Sequence, residues 1–119
     1  MTRAASVVFV TAGSAEQAET IARMLVEERL AACVNIVSPI RSIYRWQDAV
    51  QTDIEHLMII KTGAALIAKL EARVRELHTY EVPEVIALPI VAGAKPYLDW
   101  ILESTKAPRR AAKKSPRKK

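Results

Sequence analysis

Two long β-forming runs separated by almost nothing set the strongest constraint on this chain. Residues 32–46 read as one strand, with Pro39 marking an edge or a bend, and residues 50–62 read as another, with Leu57, Met58, Ile59 and Ile60 at its apolar end. Only Gln47, Asp48 and Ala49 interrupt them. The two runs therefore pair as a hairpin with arms of about 12 residues, about twice the usual strand. In a chain of 119 residues, arms of that length overhang the domain. Beyond Pro39, alternation puts Ile40, Ser42, Tyr44 and Trp46 on one face and Arg41, Ile43 and Arg45 on the other. The far end thus exposes aromatics that need cover from another subunit, and Tyr44 and Trp46 are the expected contacts.

The remaining elements follow from periodicity. The continuous apolar run from Ala5 to Thr11 predicts a strand buried on both faces. Ser14 and Gln17 have capping-box spacing, so a helix opens there. Ala18, Ile21, Ala22, Leu25 and Val26 lie on its inner face, and it ends near Leu30. Thr62 is a candidate N-cap for a second helix, 63–77, whose seam is Ile67, Leu70, Val74 and Leu77. His78 closes that helix, and residues 79–83 form a loop because Val82 precedes a proline. A fourth strand spans 84–91, interrupted at Pro89, and a third helix follows the turn at 93–95, with Pro96 in its first turn. The order is βαββαβ plus a terminal helix. Right-handed crossovers interleave its two halves into a four-stranded antiparallel sheet with both main helices on one face, an α+β, ferredoxin-like arrangement.

Charge divides the chain in two. Of 18 Lys and Arg residues, eight fall in 106–119, where there is no acid. Residues 1–105 keep ten basic residues against thirteen acidic ones, so the body is mildly acidic and is not itself a nucleic-acid-binding domain. The domain is expected over 1–105. Residues 106–119, without large apolar side chains, are expected to form a disordered basic tail capable of a weak polyanion or nucleic-acid contact. The single cysteine, Cys33, forbids an internal disulfide and points to a reducing, cytoplasmic location. As a cleavable leader the first fifteen residues have too short an apolar core, and their removal would take away a strand and a helix cap. No run approaches the ~18 apolar residues of a membrane span, so no membrane partner is expected.

Candidate chemistry is sparse. There is no phosphate loop, nucleophile elbow, paired-cysteine motif or zinc-protease motif. Cys33 lies among small apolar residues and is either an inert packed thiol or a soft-metal ligand. His56, mid-strand, reads as packed or hydrogen-bonded. His78 is either a helix C-terminal group or a metal ligand, with Tyr80, Glu81 and Glu84 nearby in sequence. One cysteine and two histidines cannot close a four-coordinate site, so any metal site is open, labile or shared between subunits. Lys61, before a helix start, is a candidate anion contact. Nothing pairs a nucleophile with a base, and no enzyme activity is expected.

Several stretches, in order, carry a resemblance. These are Glu28-Arg29-Leu30-Ala31-Ala32-Cys33-Val34-Asn35, then Ser42-Ile43-Tyr44 with Trp46, and Ile60-Lys61-Thr62. They continue with His78, Tyr80-Glu81-Val82-Pro83-Glu84, Pro89-Ile90, and Tyr97-Leu98 with Trp100. Over roughly residues 7–103 the chain resembles the CutA divalent-cation-tolerance family. The resemblance implies a ferredoxin-like homotrimer, similar in architecture to the nitrogen-regulatory PII proteins, whose hairpins wrap onto neighbouring subunits. It also implies tolerance to copper and other divalent cations without an attached reaction. Cys33 and His78 match proposed copper ligands. The chain departs at Val8-Phe9-Val10-Thr11, where some bacterial members carry a second cysteine, and at Asp48, where the family often has glycine.

Two readings follow. The first is a non-enzymatic homotrimer of metal homeostasis that binds copper or zinc labilely through Cys33 or His78. In it, an inter-subunit cleft is lined by Lys61, Tyr80, Glu81 and Glu84. The alternative is a PII-like signalling or scaffolding trimer that binds a small anion in those clefts.

Overall fold

The structure, a computed structural model, describes residues 4–107. The expected basic tail lies outside the described residues from position 108 onward. Strand β1 (Ala5–Ala12) leads to helix α1 (Ala15–Glu27), and the hairpin consists of β2 (Cys33–Trp46) and β3 (Ala49–Gly63). A 3-10 turn (Ala64–Leu66), helix α2 (Ile67–Leu77), strand β4 (Val85–Pro89) and helix α3 (Lys95–Ser104) complete the chain. The sheet order is β2-β3-β1-β4 and every pairing is antiparallel. This is the expected α+β, ferredoxin-like interleaving.

One face of the sheet carries Val8, Val10, Ala12, Met58 and Ile60, all buried against Ala18, Ile21 and Leu25 of α1 and Leu70 and Val74 of α2. Alternation sends Val7, Phe9, Thr11, Leu57 and Ile59 to the opposite face. There the apolar surface continues onto Val37, Ile86 and Leu88, which remain exposed. Helix α3 packs Leu102 against Gly63 at one end of the sheet and buries Ile101 completely.

The helix boundaries show which local signals prevailed. Ser14 Oγ accepts from the Gln17 amide at 3.1 Å, as its spacing predicts. Gln17 does not close the expected box from its own side. Its Oε1 accepts from Thr79 Oγ1 instead, tying α1 to the segment after α2. Helix α1 stops at Glu27 rather than near Leu30 because Arg29 takes a left-handed conformation (φ 61°), and the Leu30 and Ala31 amides both turn back to Leu25 O. Thr62 is not the cap of α2. It stays in β3, fully buried, and donates through Oγ1 to Leu30 O at 2.7 Å, while the intervening 3-10 turn delays the helix to Ile67. Strand β4 ends at Pro89 rather than 91, where proline removes the ladder donor.

The hairpin is longer than expected, with arms of 14 and 15 residues. Only His56 to Gly63 of β3 pair with β1, so residues 49–55 are held by β2 alone. Gln47 and Asp48 both take left-handed backbone (φ 51° and 66°) and form the two-residue turn that right-twisted hairpins favour. The register advances from Val37–Leu57 to Ile40–Glu55, so β2 holds one extra residue at Ser38-Pro39 on the sheet edge.

Candidate functional site

The hairpin and the segment following α2 enclose a cleft of about 580 Å³. It is lined by Thr11, Ser42, Ile43, Tyr44, Trp46, Glu55, Tyr80, Glu81, Val82 and Glu84. The extra residue in β2 places Ser42, Tyr44 and Trp46 opposite Asp53, Gln51 and Ala49, on the face that Glu55 shares. The second wall is fixed by His78, which caps α2 through its backbone N–H to Val74 O. Its side chain is buried and donates from Nε2 to Thr11 O at 2.7 Å. Nδ1 accepts from the Tyr80 amide at 3.0 Å, and the His78 and Tyr80 rings stack with centroids 4.6 Å apart. With Nδ1 as acceptor, the Nε2–H tautomer is the one present.

Tyr80 then donates its hydroxyl to Glu55 Oε2 at 2.7 Å. Glu55 is only 8% exposed, so this bond satisfies part of a buried carboxylate. Burial and then the bond to Glu55 push the Tyr80 phenol well above its ordinary range. At the opposite wall Tyr44 donates to Asp53, which raises the Tyr44 phenol. Glu84 lies exposed at the rim but is crowded on one side, and that desolvation, followed by the charge of Glu55, raises its carboxyl. Glu55, Glu81 and Glu84 thus face the cleft with no lysine or arginine among its lining residues.

The structure brings together Tyr80, Glu81 and Glu84 of the expected cleft residues, but not Lys61. Lys61 sits in β3 between Val7 and Cys33, and its ammonium bonds Asn35 Oδ1. Tyr44 and Trp46, read as trimer contacts, line the cleft within one chain. Cys33 is partly exposed beside Asn35 Oδ1 at 3.7 Å and near Tyr97, whose phenol it helps to raise after burial. Cys33 and His78 are not adjacent. The Cys33 row crosses β1 at Val7, whereas His78 bonds Thr11, about 13 Å further along that strand. His56, expected as packed or hydrogen-bonded, is half-buried and shares a hydrogen bond with Ser38 Oγ through Nδ1. Among the described residues no group of three or more His, Cys, Asp or Glu converges to hold a metal. Sequence reasoning missed Glu55, Asp53, Thr11 and Gly13. The alternation of Asp53, Glu55 and Leu57 was the available signal, but its relation to Tyr44 depends on the extra residue in β2.

The sequence matches the CutA1 divalent ion tolerance protein family over residues 6–104. The divalent-cation tolerance protein CutA of Thermus thermophilus is 56% identical over 99 residues, covering 83% of this chain and 96% of that protein. The chloroplastic CutA of Arabidopsis thaliana is 49% identical over 100 residues, which are 84% of this chain and 55% of the longer plant protein. The solved Thermus thermophilus protein superposes with a TM-score of 0.84 at 54% identity, covering 86% of this chain and 99% of that one. The Archaeoglobus fulgidus structure, described as a periplasmic divalent cation tolerance protein, gives 0.83 at 40% identity, covering 86% and 99%. The interleaved sheet, the overhanging hairpin and these matches agree, and the chain belongs to the CutA1 divalent ion tolerance family.

Proposed function

We propose that this protein serves divalent-cation tolerance as a non-enzymatic homotrimer of the cytoplasm that holds copper or zinc labilely. The observation that carries the cation reading is the sign of the cleft, three carboxylates without a basic lining residue. Protonation is favoured at Glu84 partly because Glu55 is charged, and a bound cation would relieve the same repulsion. One or two carboxylates completed by water make an exchangeable site rather than a closed one. Both His78 nitrogens already have partners, so its support for such a site is positional. Cys33 remains a separate candidate thiolate. An anion in this cleft of one chain would face carboxylates without Lys61, whereas the PII-like alternative places its anion between subunits.

The homotrimer is supported by the uncovered apolar sheet face and by Val50 and Ile54, which are 67% and 57% exposed on the hairpin. The non-enzymatic reading is supported by the separation of Cys33 from His78, which leaves the thiol without that base. The cytoplasmic reading rests on the lone cysteine. Among the described residues no helix is long and apolar enough to cross a membrane.

The test is calorimetric titration of Cu(II) and Zn(II) into the full chain and into the Cys33→Ala, His78→Ala and Glu84→Gln variants, with particle mass read by light scattering. Saturable binding weakened at least threefold by Glu84→Gln, on a trimer-sized particle, is the expected result. Absence of saturable binding overturns the metal reading. Loss confined to Cys33→Ala moves the site to β2.

A further inference from the structure

Charge is most strongly polarised at the C-terminal end of the sequence, which the cation reading leaves without a role. The family match stops at residue 104. Eight of the 18 Lys and Arg residues lie in 106–119 with no acid among them, against ten bases and thirteen acids in the body. Arg109-Arg110, Lys113-Lys114 and Arg117-Lys118 begin every fourth residue, separated by Ala-Ala and Ser-Pro. Positive charge is thus strung along the sequence in doublets, which suits a polymer with charge repeated along its length better than one compact anion.

The described residues at the root of this run do not supply its counter-charge. Helix α3 ends with Leu102 and Thr105 near Gly63, and the Ser104 carbonyl accepts from Arg29 Nη1 at 3.4 Å. Both acids of α3 already have cations, Asp99 with Lys95 at 2.8 Å and Glu103 with Lys106 at 3.3 Å. Gly63 pairs with Ala5, whereas the carboxylates of the cleft gather near Thr11, about 20 Å further along β1. The chain therefore leaves the body at the end of the sheet remote from those carboxylates, beside a further guanidinium.

We propose that residues 106–119 bind the phosphate backbone of double-stranded nucleic acid, without regard to base sequence. The choice among polyanions follows from the composition of the run. It has no aromatic side chain on which single-stranded bases would stack. It has no Asn or Gln to read base edges, and no large apolar side chain to enter a lipid surface. Seven cations beyond Lys106, each on one phosphate, set a limiting slope of about −6 per chain for log affinity against log salt. No residue of the cleft takes part, so the proposal is independent of the cation reading above.

The experiment follows the fluorescence anisotropy of short labelled DNA and RNA duplexes titrated with the full chain, between about 50 and 200 mM salt. The same titrations are made on the double variant Lys113→Gln with Lys114→Gln. A control of equal charge change is Lys69→Gln with Arg75→Gln, both exposed on α2, and circular dichroism checks the fold of each. Affinity should fall at least about a hundredfold over that salt range. The Lys113, Lys114 variant should weaken low-salt binding at least about tenfold and flatten the slope by about 2 for each chain engaged. The control should change neither.

Binding of either duplex with this pattern supports the proposal, and the tighter of the two names the source of the backbone. Absence of binding at low salt, or an equal loss in the control, overturns it. Tighter binding of the single strand than of its duplex, or of vesicles of phosphatidylcholine and phosphatidylserine than of both duplexes, overturns the assignment to double-stranded nucleic acid. A preference of more than about tenfold between duplexes of unrelated sequence overturns the assignment to the backbone, because phosphate contacts carry no sequence information.

Discussion

The Tyr80 hydroxyl and the Glu55 carboxylate meet at 2.7 Å across the floor of the cleft, although 25 residues separate them in the chain. That bond joins the middle of the long hairpin to the segment leaving α2, and it does so beside Gly13. A Cβ on Gly13 would lie 3.0 Å from the Tyr80 hydroxyl, so the absence of a side chain there admits the phenol.

Tyr80→Phe is expected to destabilise the protein by about 1–2 kcal/mol, because it leaves a buried carboxylate without its donor. Gly13→Ala should act in the same direction by pushing the phenol from Glu55. Urea denaturation of both single variants and the double variant measures this. A double-variant loss well below the sum of the two singles is the expected outcome, since both act on one bond.

Glu84 gives a pH-dependent effect of definite sign. Its folded carboxyl is raised above the ordinary 4.5 by desolvation and by Glu55. Its contribution is therefore fully present below the unfolded value and is lost as the pH rises through the raised one. Glu84→Gln should match the parent in melting temperature near pH 4 and exceed it near pH 8. Equal melting temperatures at both values would contradict the assignment.

Arg73 makes a two-pronged contact with Glu28, Nε to Oε1 and Nη2 to Oε2, both at 2.9 Å, clasping α2 to the end of α1. Hydrogen bonding to Arg73 lowers the Glu28 carboxyl, against a smaller opposing effect of burial. The contribution is present above the unfolded value and is lost as the pH falls through the depressed one. Arg73→Gln should lower the melting temperature at pH 7 and have a shrinking effect toward pH 3, followed by calorimetry.

Asp48 holds a left-handed backbone at φ 66°. Glycine removes a strain of about 1–2 kcal/mol and restores about 0.5–1 kcal/mol of chain entropy to the unfolded state. Asp48→Gly is expected to stabilise by about 0.5 kcal/mol, and a melting temperature raised by about 2–4 °C is the measurement that checks it.

The fold was largely legible because its signals are local. Alternation in the hairpin, the Ser14 cap and the apolar seams of α1 and α2 each depend on near neighbours. Thr62 misled because a threonine before an apolar helix resembles a cap, whereas the carbonyl that claims its hydroxyl belongs to Leu30, thirty-two residues away. Half of the candidate site was legible for the same reason. Tyr80, Glu81 and Glu84 are sequence neighbours, whereas Lys61, expected with them across a cleft between subunits, stands on β3 beside Asn35 within one chain. Glu55 was invisible, since only long-range pairing shows that a strand carboxylate is buried under a tyrosine from another element.

The extra residue at Ser38-Pro39 acts as a phase shifter for the whole outer half of β2. Inward of it, odd-numbered residues of β2 pair with Lys61, Ile59 and Leu57; outward of it, even-numbered residues pair with Glu55, Asp53 and Gln51. Were the same residues paired regularly outward from Val37–Leu57, with none left over, Arg41, Ile43 and Arg45 would stand opposite Asp53, Gln51 and Ala49, on the face now held by Tyr44 and Trp46. A guanidinium would then stand opposite the carboxylates, and the pocket would neutralise itself. The count of residues along one edge strand, as much as their identity, determines that this hollow stays negative.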